Sequence, residues 1–70
     1  MTTVKSEMPA TVWQVRVEVG ATVAADDELV VLESMKMEIP VVAPAGGTVT
    51  AIHVASGDRV GEGDPLVELD

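Results

Sequence analysis

The sequence predicts an all-β fold, a pseudo-two-fold sandwich or flattened barrel in which two similar halves cover each other's apolar faces. Fourteen valines stand beside only four leucines and two isoleucines among the 70 residues. Such β-branched side chains pack well on a pleated sheet and lose rotamer freedom in a helix. No segment combines the length and the 3.6-residue periodicity of a helix, and the second half of the chain repeats the first.

The internal repeat has a period of 37 residues, which aligns residues 8–33 with residues 45–70 without a gap. The matching positions are glycines, aspartates and aliphatic residues, the types that fix turns and cores. A half of this length, with only a few short strands, buries little apolar surface by itself. We therefore expect the two halves to pack their apolar faces against each other. The clearest pairs are Gly20 with Gly57, Val23 with Val60, Asp27 with Asp64, Leu29 with Leu66, and Leu32 with Leu69.

The first strand of the repeat is predicted at residues 11–19, where apolar side chains at odd positions alternate with polar ones. This alternation places Trp13 on the same face as Val15 and Val17, in the core or at the barrel end. The equivalent strand in the second half has Ile52 and Val54 on one face. His53 is expected on the opposite, exposed face.

Turns and short strands follow in each half. Gly20 and Gly57 end the first strands at tight turns, where positive φ is least costly for glycine. Asp27 and Asp64 are predicted to accept hydrogen bonds from their own backbone and hold the next turns. The apolar runs at 29–32 and 66–69 then predict short strands.

Composition excludes several classes of protein. A chain of this length predicts one domain, residues 1–70, without room for a large buried active site. Cysteine is absent, which excludes disulfides, thiolate nucleophiles and common structural zinc sites. A lone histidine, His53, predicts no metal site. Short apolar runs and the lack of a signal-like N-terminus favour a cytoplasmic protein.

The net charge is −8, from twelve acidic and four basic residues. This charge repels phosphate backbones and anionic lipids, so neither nucleic acid nor a membrane is an expected partner. An acidic surface serves either to keep the domain soluble or to dock it on basic enzyme surfaces.

The junction of the two halves, residues 33–38, reads Glu-Ser-Met-Lys-Met-Glu between two apolar runs. Two strands with a polar centre predict a hairpin with Lys36 near its tip. Hairpin tips usually carry Asn, Gly or Asp, whereas exposed methionines suit a surface that a partner grips. Met35, Lys36 and Met37 are therefore predicted to form a site that a partner protein recognises. The alternative is a solvated turn whose two methionines pack on the end of the barrel.

This junction resembles the biotin attachment motif of biotinyl domains, whose centre is Met-Lys-Met, usually preceded by Ala. The resemblance covers essentially the whole chain, including the Pro-Ala-Gly-Gly loop and the downstream Gly-Asp-Arg-Val and Leu-Val-Glu-Leu segments. It implies a barrel-sandwich hybrid of two four-stranded antiparallel sheets, one biotinyl/lipoyl-type carrier domain. Ser34 departs from the pattern by occupying the usual Ala position, but serine is nearly as small.

The resemblance implies that biotin is the cofactor and that Lys36 is acylated by it. It implies that Met35 and Met37 are read by the biotin protein ligase. The flanking residues Glu33, Ser34 and Glu38 are weaker candidates for ligase contact or simply solvated, and Lys5 serves as the internal negative control. The domain would be a carrier and not an enzyme, with no catalytic residues and no metal.

The implied function is a biotin carboxyl carrier that shuttles a carboxyl group between biotin carboxylase and carboxyltransferase subunits of an acyl-CoA carboxylase-type complex. The chain lacks the protruding loop of some bacterial carriers, so it looks like the thumbless ones, and we expect a monomer as an isolated domain. One alternative is a lipoyl carrier domain, whose signature places Asp where Met35 stands. The other is a non-modified acidic β-barrel adaptor that acts by protein contacts alone.

Overall fold

Eight short strands form the whole regular structure of the computed structural model, which describes residues 1–70. No helix of the length and apolarity needed to cross a membrane is present. The strands are β1 Thr2–Lys5, β2 Ala10–Val15, β3 Thr22–Val23, β4 Glu28–Ser34, β5 Met37–Val42, β6 Gly47–Ile52, β7 Arg59–Val60 and β8 Pro65–Leu69.

The strands form two four-stranded sheets, ordered β1-β8-β6-β3 and β5-β4-β2-β7, and every pair is antiparallel. The predicted all-β fold of two such sheets is confirmed. A shift of 37 residues converts β2, β3 and β4 into β6, β7 and β8, and β1 into residues 39–42 of β5. The structural repeat therefore comprises four strands in each half, one strand more than the aligned residues 8–33 and 45–70 contain.

Backbone hydrogen bonds follow the same two-fold relation. Gly20 donates to the carbonyl of Val49 at 2.8 Å, and its counterpart Gly57 donates to that of Val12 at 2.7 Å. Each bond joins one half of the chain to the other. The halves consequently hold each other by matched contacts, as the repeat predicts.

The core lies between the two sheets and is built from aliphatic side chains. Two of its members, Leu29 and Leu66, are fully buried and occupy equivalent positions in the repeat. Because a domain of this size has a small core, each such side chain carries a large share of the stability. The core cluster comprises Val4, Val12, Val23, Leu29, Val30, Leu32, Ala43, Val49, Val60, Leu66, Val67 and Leu69.

The predicted inward placement of Trp13 is wrong. The pairing of β2 with β4 shifts register between Val12 and Gln14, so that an extra residue stands in β2. Such a bulge breaks the period of two. Val12 is 1% exposed and belongs to the core, whereas Trp13 is 44% exposed. The strand also ends at Val15 instead of continuing to residue 19.

The turn residues adopt the predicted conformations, although Gly20 and Gly57 lie five residues beyond the ends of β2 and β6 and do not end these strands. Gly20 and Gly57 have φ of 94° and 96°. Asp27 Oδ2 accepts a hydrogen bond from the backbone N–H of Ala24 at 2.9 Å, and Asp64 Oδ2 accepts one from Gly61 at 2.8 Å. These bonds close equivalent turns before β4 and β8, two inner strands that the repeat relates to each other.

Replacing Gly20 with valine should lower the free energy of unfolding by about 1 to 3 kcal/mol, because a β-branched residue is strained at positive φ. No atom lies within 4 Å of the position that a Cβ would occupy, so the cost comes from backbone strain and not from collision. Urea unfolding followed by Trp13 fluorescence measures it. Gly20→Asn is the matched control, since asparagine tolerates this conformation. Equal stability of the valine and asparagine variants would contradict the strain argument.

Candidate functional site

The β4–β5 hairpin holds the predicted attachment lysine at its tip. Leu32 pairs with Ile39 and Ser34 pairs with Met37, which leaves Met35 and Lys36 as a two-residue loop. Their φ values are 53° and 65°. Positive φ at both central residues is the pattern of a type I′ turn, whose twist matches that of the flanking strands.

This loop conformation is unusual for the residues that adopt it. Neither methionine nor lysine favours positive φ, so such a loop persists only where the surrounding structure fixes it. The hairpin strands supply that support, because Val30 and Leu32 of β4 are 0% and 1% exposed. The tip is thus a defined projection anchored in the core.

The side chains of the tip project into solvent. Met35 is 92% exposed and Met37 is 65% exposed, which excludes the alternative in which both methionines pack on the barrel end. Lys36 is exposed and its amine forms neither an ion pair nor a hydrogen bond with the protein. The amine can be approached by an enzyme that acylates it, so this residue fits a covalently attached cofactor.

The flanking residues form a less compact group. Ser34 is half-buried, and Glu33 and Glu38 are exposed and directly opposite each other in the pairing of β4 with β5. Like charges in this relation are destabilising. Neither carboxylate forms an ion pair, and no base, nucleophile or metal ligand converges on them. The pair gives the base of the tip a negative surface without the arrangement of a catalytic dyad.

One basic residue near the tip was missed by the sequence reasoning. Arg59 of β7 pairs with Thr11 of β2, which in turn pairs with Glu33, so these residues form a row across the sheet. Arg59 lines a cleft of ≈ 260 Å³ beside the hairpin together with Glu33 and Met35. Only the strand order could have revealed this, because residue 59 is far from the tip in sequence.

The remaining candidates lie away from the hairpin. His53 is exposed, as predicted, and its Nε2 lies 2.6 Å from Oε2 of Glu68, a partner that the pairing of β6 with β8 supplies. Lys5 lies in the edge strand β1 opposite Pro65. No group of three or more potential metal-ligating side chains is found. Lys36 is therefore the lysine that the fold isolates at a tip.

Comparison with known proteins gives one family. The family model described as "Biotin-requiring enzyme" matches residues 2–69. The chain is 45% identical over 67 residues to the biotin/lipoyl attachment protein of Bacillus subtilis, covering 96% of this chain and 92% of that protein. It is 48% identical over 67 residues to the biotin carboxyl carrier protein of Streptococcus mutans, covering 96% of this chain but only 52% of the relative.

Solved structures agree with this result. Urea carboxylase of Kluyveromyces lactis matches with a TM-score of 0.92 and 32% identity, covering 99% of this chain and 6% of the enzyme. The lipoyl domain of the 2-oxoglutarate dehydrogenase complex of Azotobacter vinelandii matches less well, with a TM-score of 0.76 and 31% identity over 89% of this chain and 78% of that domain. Of these two structures, the urea carboxylase has the higher TM-score with this chain.

The sequence resemblance and the cofactor that it implied, biotin, are confirmed by the family match and the two relatives. The chain belongs to the biotin-requiring family as a biotin carboxyl carrier domain of the type that biotin-dependent carboxylases contain, and it is a carrier without catalytic activity of its own.

Proposed function

We propose that Lys36 is the residue that carries biotin and that the domain shuttles a carboxyl group between a biotin carboxylase and a carboxyltransferase. The exposure of this amine at a two-residue tip, without a partner in the protein, is the observation that carries the proposal. Biotin, when bound, supplies a ureido nitrogen that accepts a carboxyl group and later gives it up. The carrier itself then has three tasks.

The first task is to form the amide. The Nζ of Lys36 loses a proton and attacks the activated carboxyl carbon of biotin, the activating group leaves, and the lysine loses its positive charge. Nothing in the protein has to be displaced first, since Nζ makes no ion pair. The methionines on either side give a ligase two apolar, adaptable contacts between the exposed carboxylates of Glu33 and Glu38.

The second task is to hold the loaded arm where two enzymes reach it. A group tethered to a mobile carrier is present at high effective concentration at each active site. Because the turn is anchored by the buried residues of β4, the movement lies in the side chain and in the carrier as a whole. The fold thus combines a rigid base with a long arm.

The third task is recognition by partners. We assign ligase contact to Met35 and Met37, with weaker contributions from Glu33, Ser34 and Glu38 around the base of the tip. The acidic surface suits docking on basic surfaces of carboxylase and carboxyltransferase subunits, since the net charge is −8. The acceptor in this proposal is an acyl-CoA, bound by the carboxyltransferase and not by the carrier.

The test is the intact mass of the purified domain after incubation with a biotin protein ligase, biotin and ATP. A gain of one biotinyl group supports the proposal. Parallel incubation with a lipoyl ligase and lipoate measures the rival modification, and a domain that accepts lipoate but not biotin overturns the proposal. A domain that accepts neither would be an adaptor. Transfer of labelled bicarbonate to an acyl-CoA, with added carboxylase and transferase subunits, then tests the shuttle.

A further inference from the structure

The tip carries two of the four methionines of the chain, and both thioethers are open to solvent. Met35 is 92% exposed and Met37 is 65% exposed, whereas Met8 is half-buried. Met1 is equally open, at 94%, but lies at the chain end. Solvent-accessible thioethers are readily oxidised to sulfoxides, and this lesion is reversible by reductases.

We propose that Met35 and Met37 form a reversible oxidation site that controls the loading of Lys36, with a hydroperoxide as the oxidant. This inference rests on the proposed function, because it concerns recognition by the ligase. The sulfur lone pair attacks one oxygen of the hydroperoxide and forms an S–O bond as the O–O bond breaks. The sulfur is oxidised by two electrons, and the peroxide is reduced to an alcohol, or to water in the case of hydrogen peroxide.

The geometry explains why oxidation at this place would block loading. Met35 is held in the loop with φ of 53°, and Met37 is held by its pairing with Ser34. The other exposed side chains of residues 33–38 are charged, namely Glu33, Lys36 and Glu38, so the two methionines supply the apolar contact at the tip. A sulfoxide is polar and chiral, so oxidation removes the apolar contact that a ligase would grip.

Oxidation would leave the fold and the lysine unchanged. Neither tip methionine belongs to the core cluster, which lies between the two sheets. The Lys36 side chain carries no thioether, and it remains exposed to the ligase. The modification therefore acts on recognition alone, in contrast to oxidation of a buried methionine, which disrupts packing.

The experiment treats the unloaded domain with hydrogen peroxide, removes the peroxide with catalase, and follows both the oxidation sites and the ligation rate. Peptide mass spectrometry should find one oxygen on Met35 and one on Met37 before Met8 reacts. Ligation by the biotin protein ligase should fall by roughly tenfold or more as these two sulfoxides accumulate. Incubation with both epimer-specific methionine sulfoxide reductases should restore it.

Two variants serve as matched controls. The double variant Met35→Leu and Met37→Leu keeps the apolar volume but cannot be oxidised at the tip, so its ligation should not respond to peroxide. Met8→Leu keeps both tip thioethers and should remain as sensitive as the original. A normal ligation rate for protein oxidised at the tip overturns the inference alone. Untreated protein that the ligase leaves bare overturns the proposed function, and with it this inference.

Discussion

Replacing Lys36 with arginine should abolish biotinylation completely while leaving the domain folded. Arginine keeps the positive charge and the length of the side chain, but its guanidinium remains protonated and does not act as the nucleophile that amide formation requires. The residue is exposed and makes no contact on which the fold depends. Intact mass after incubation with ligase, biotin and ATP measures the result.

Lys5→Arg is the matched control for this experiment. Lys5 is the only other lysine, and it lies on an edge strand instead of a hairpin tip. This variant should gain one biotinyl group at the same rate as the original chain. Modification that survives Lys36→Arg and is lost in Lys5→Arg would place the attachment site on β1 and refute the assignment.

Truncation of one core leucine should remove most of the stability. We expect Leu29→Ala to lower the free energy of unfolding by about 2 to 5 kcal/mol, the range found when a fully buried leucine leaves a cavity. Both Leu29 and Leu66 are 0% exposed. A core of this size supplies only about 3 to 5 kcal/mol in total, so the variant should be largely unfolded at 25 °C.

Circular dichroism and urea unfolding measure this loss, and the repeat provides an independent comparison. Leu66→Ala should cost about as much as Leu29→Ala, because the two residues occupy equivalent places. Val19→Ala is the exposed control, since Val19 is 63% exposed and should change stability by less than about 0.5 kcal/mol. A cost below about 1 kcal/mol for either leucine would show that the two-fold core does not carry the fold.

The sequence predicts the parts of this structure that depend on local chemistry and on the repeat. The all-β class follows from the excess of valine, and the turns with positive φ at Gly20 and Gly57 follow from the low cost of that conformation for glycine. The tip at Lys36 follows from a polar centre between two apolar runs. In each case a short stretch of residues contains the information.

Features that depend on pairing between distant strands could not be predicted in the same way. The bulge that turns Trp13 outward is a property of how β2 pairs with β4, and the amino acids of β2 alternate as if no bulge existed. The placement of Arg59 beside the hairpin depends on the strand order. The positive φ of Met35 is likewise imposed by the two-residue loop and not by its own preference.

The two-fold relation also places residues 1 and 70 at the position equivalent to the base of the β4–β5 hairpin. Thr2 pairs with Leu69 as Ile39 pairs with Leu32, so the ends meet where the other copy has its hairpin. A shift of 37 residues makes Asp70 equivalent to Glu33 and Met1 equivalent to Glu38. Four added residues, equivalent to residues 34–37, would therefore connect Asp70 to Met1. A circularised chain with Ser-Met-Lys-Met in that bridge would display a second lysine at the position related to Lys36 by the pseudo-two-fold axis. Such a chain would be a bivalent carrier with the same barrel.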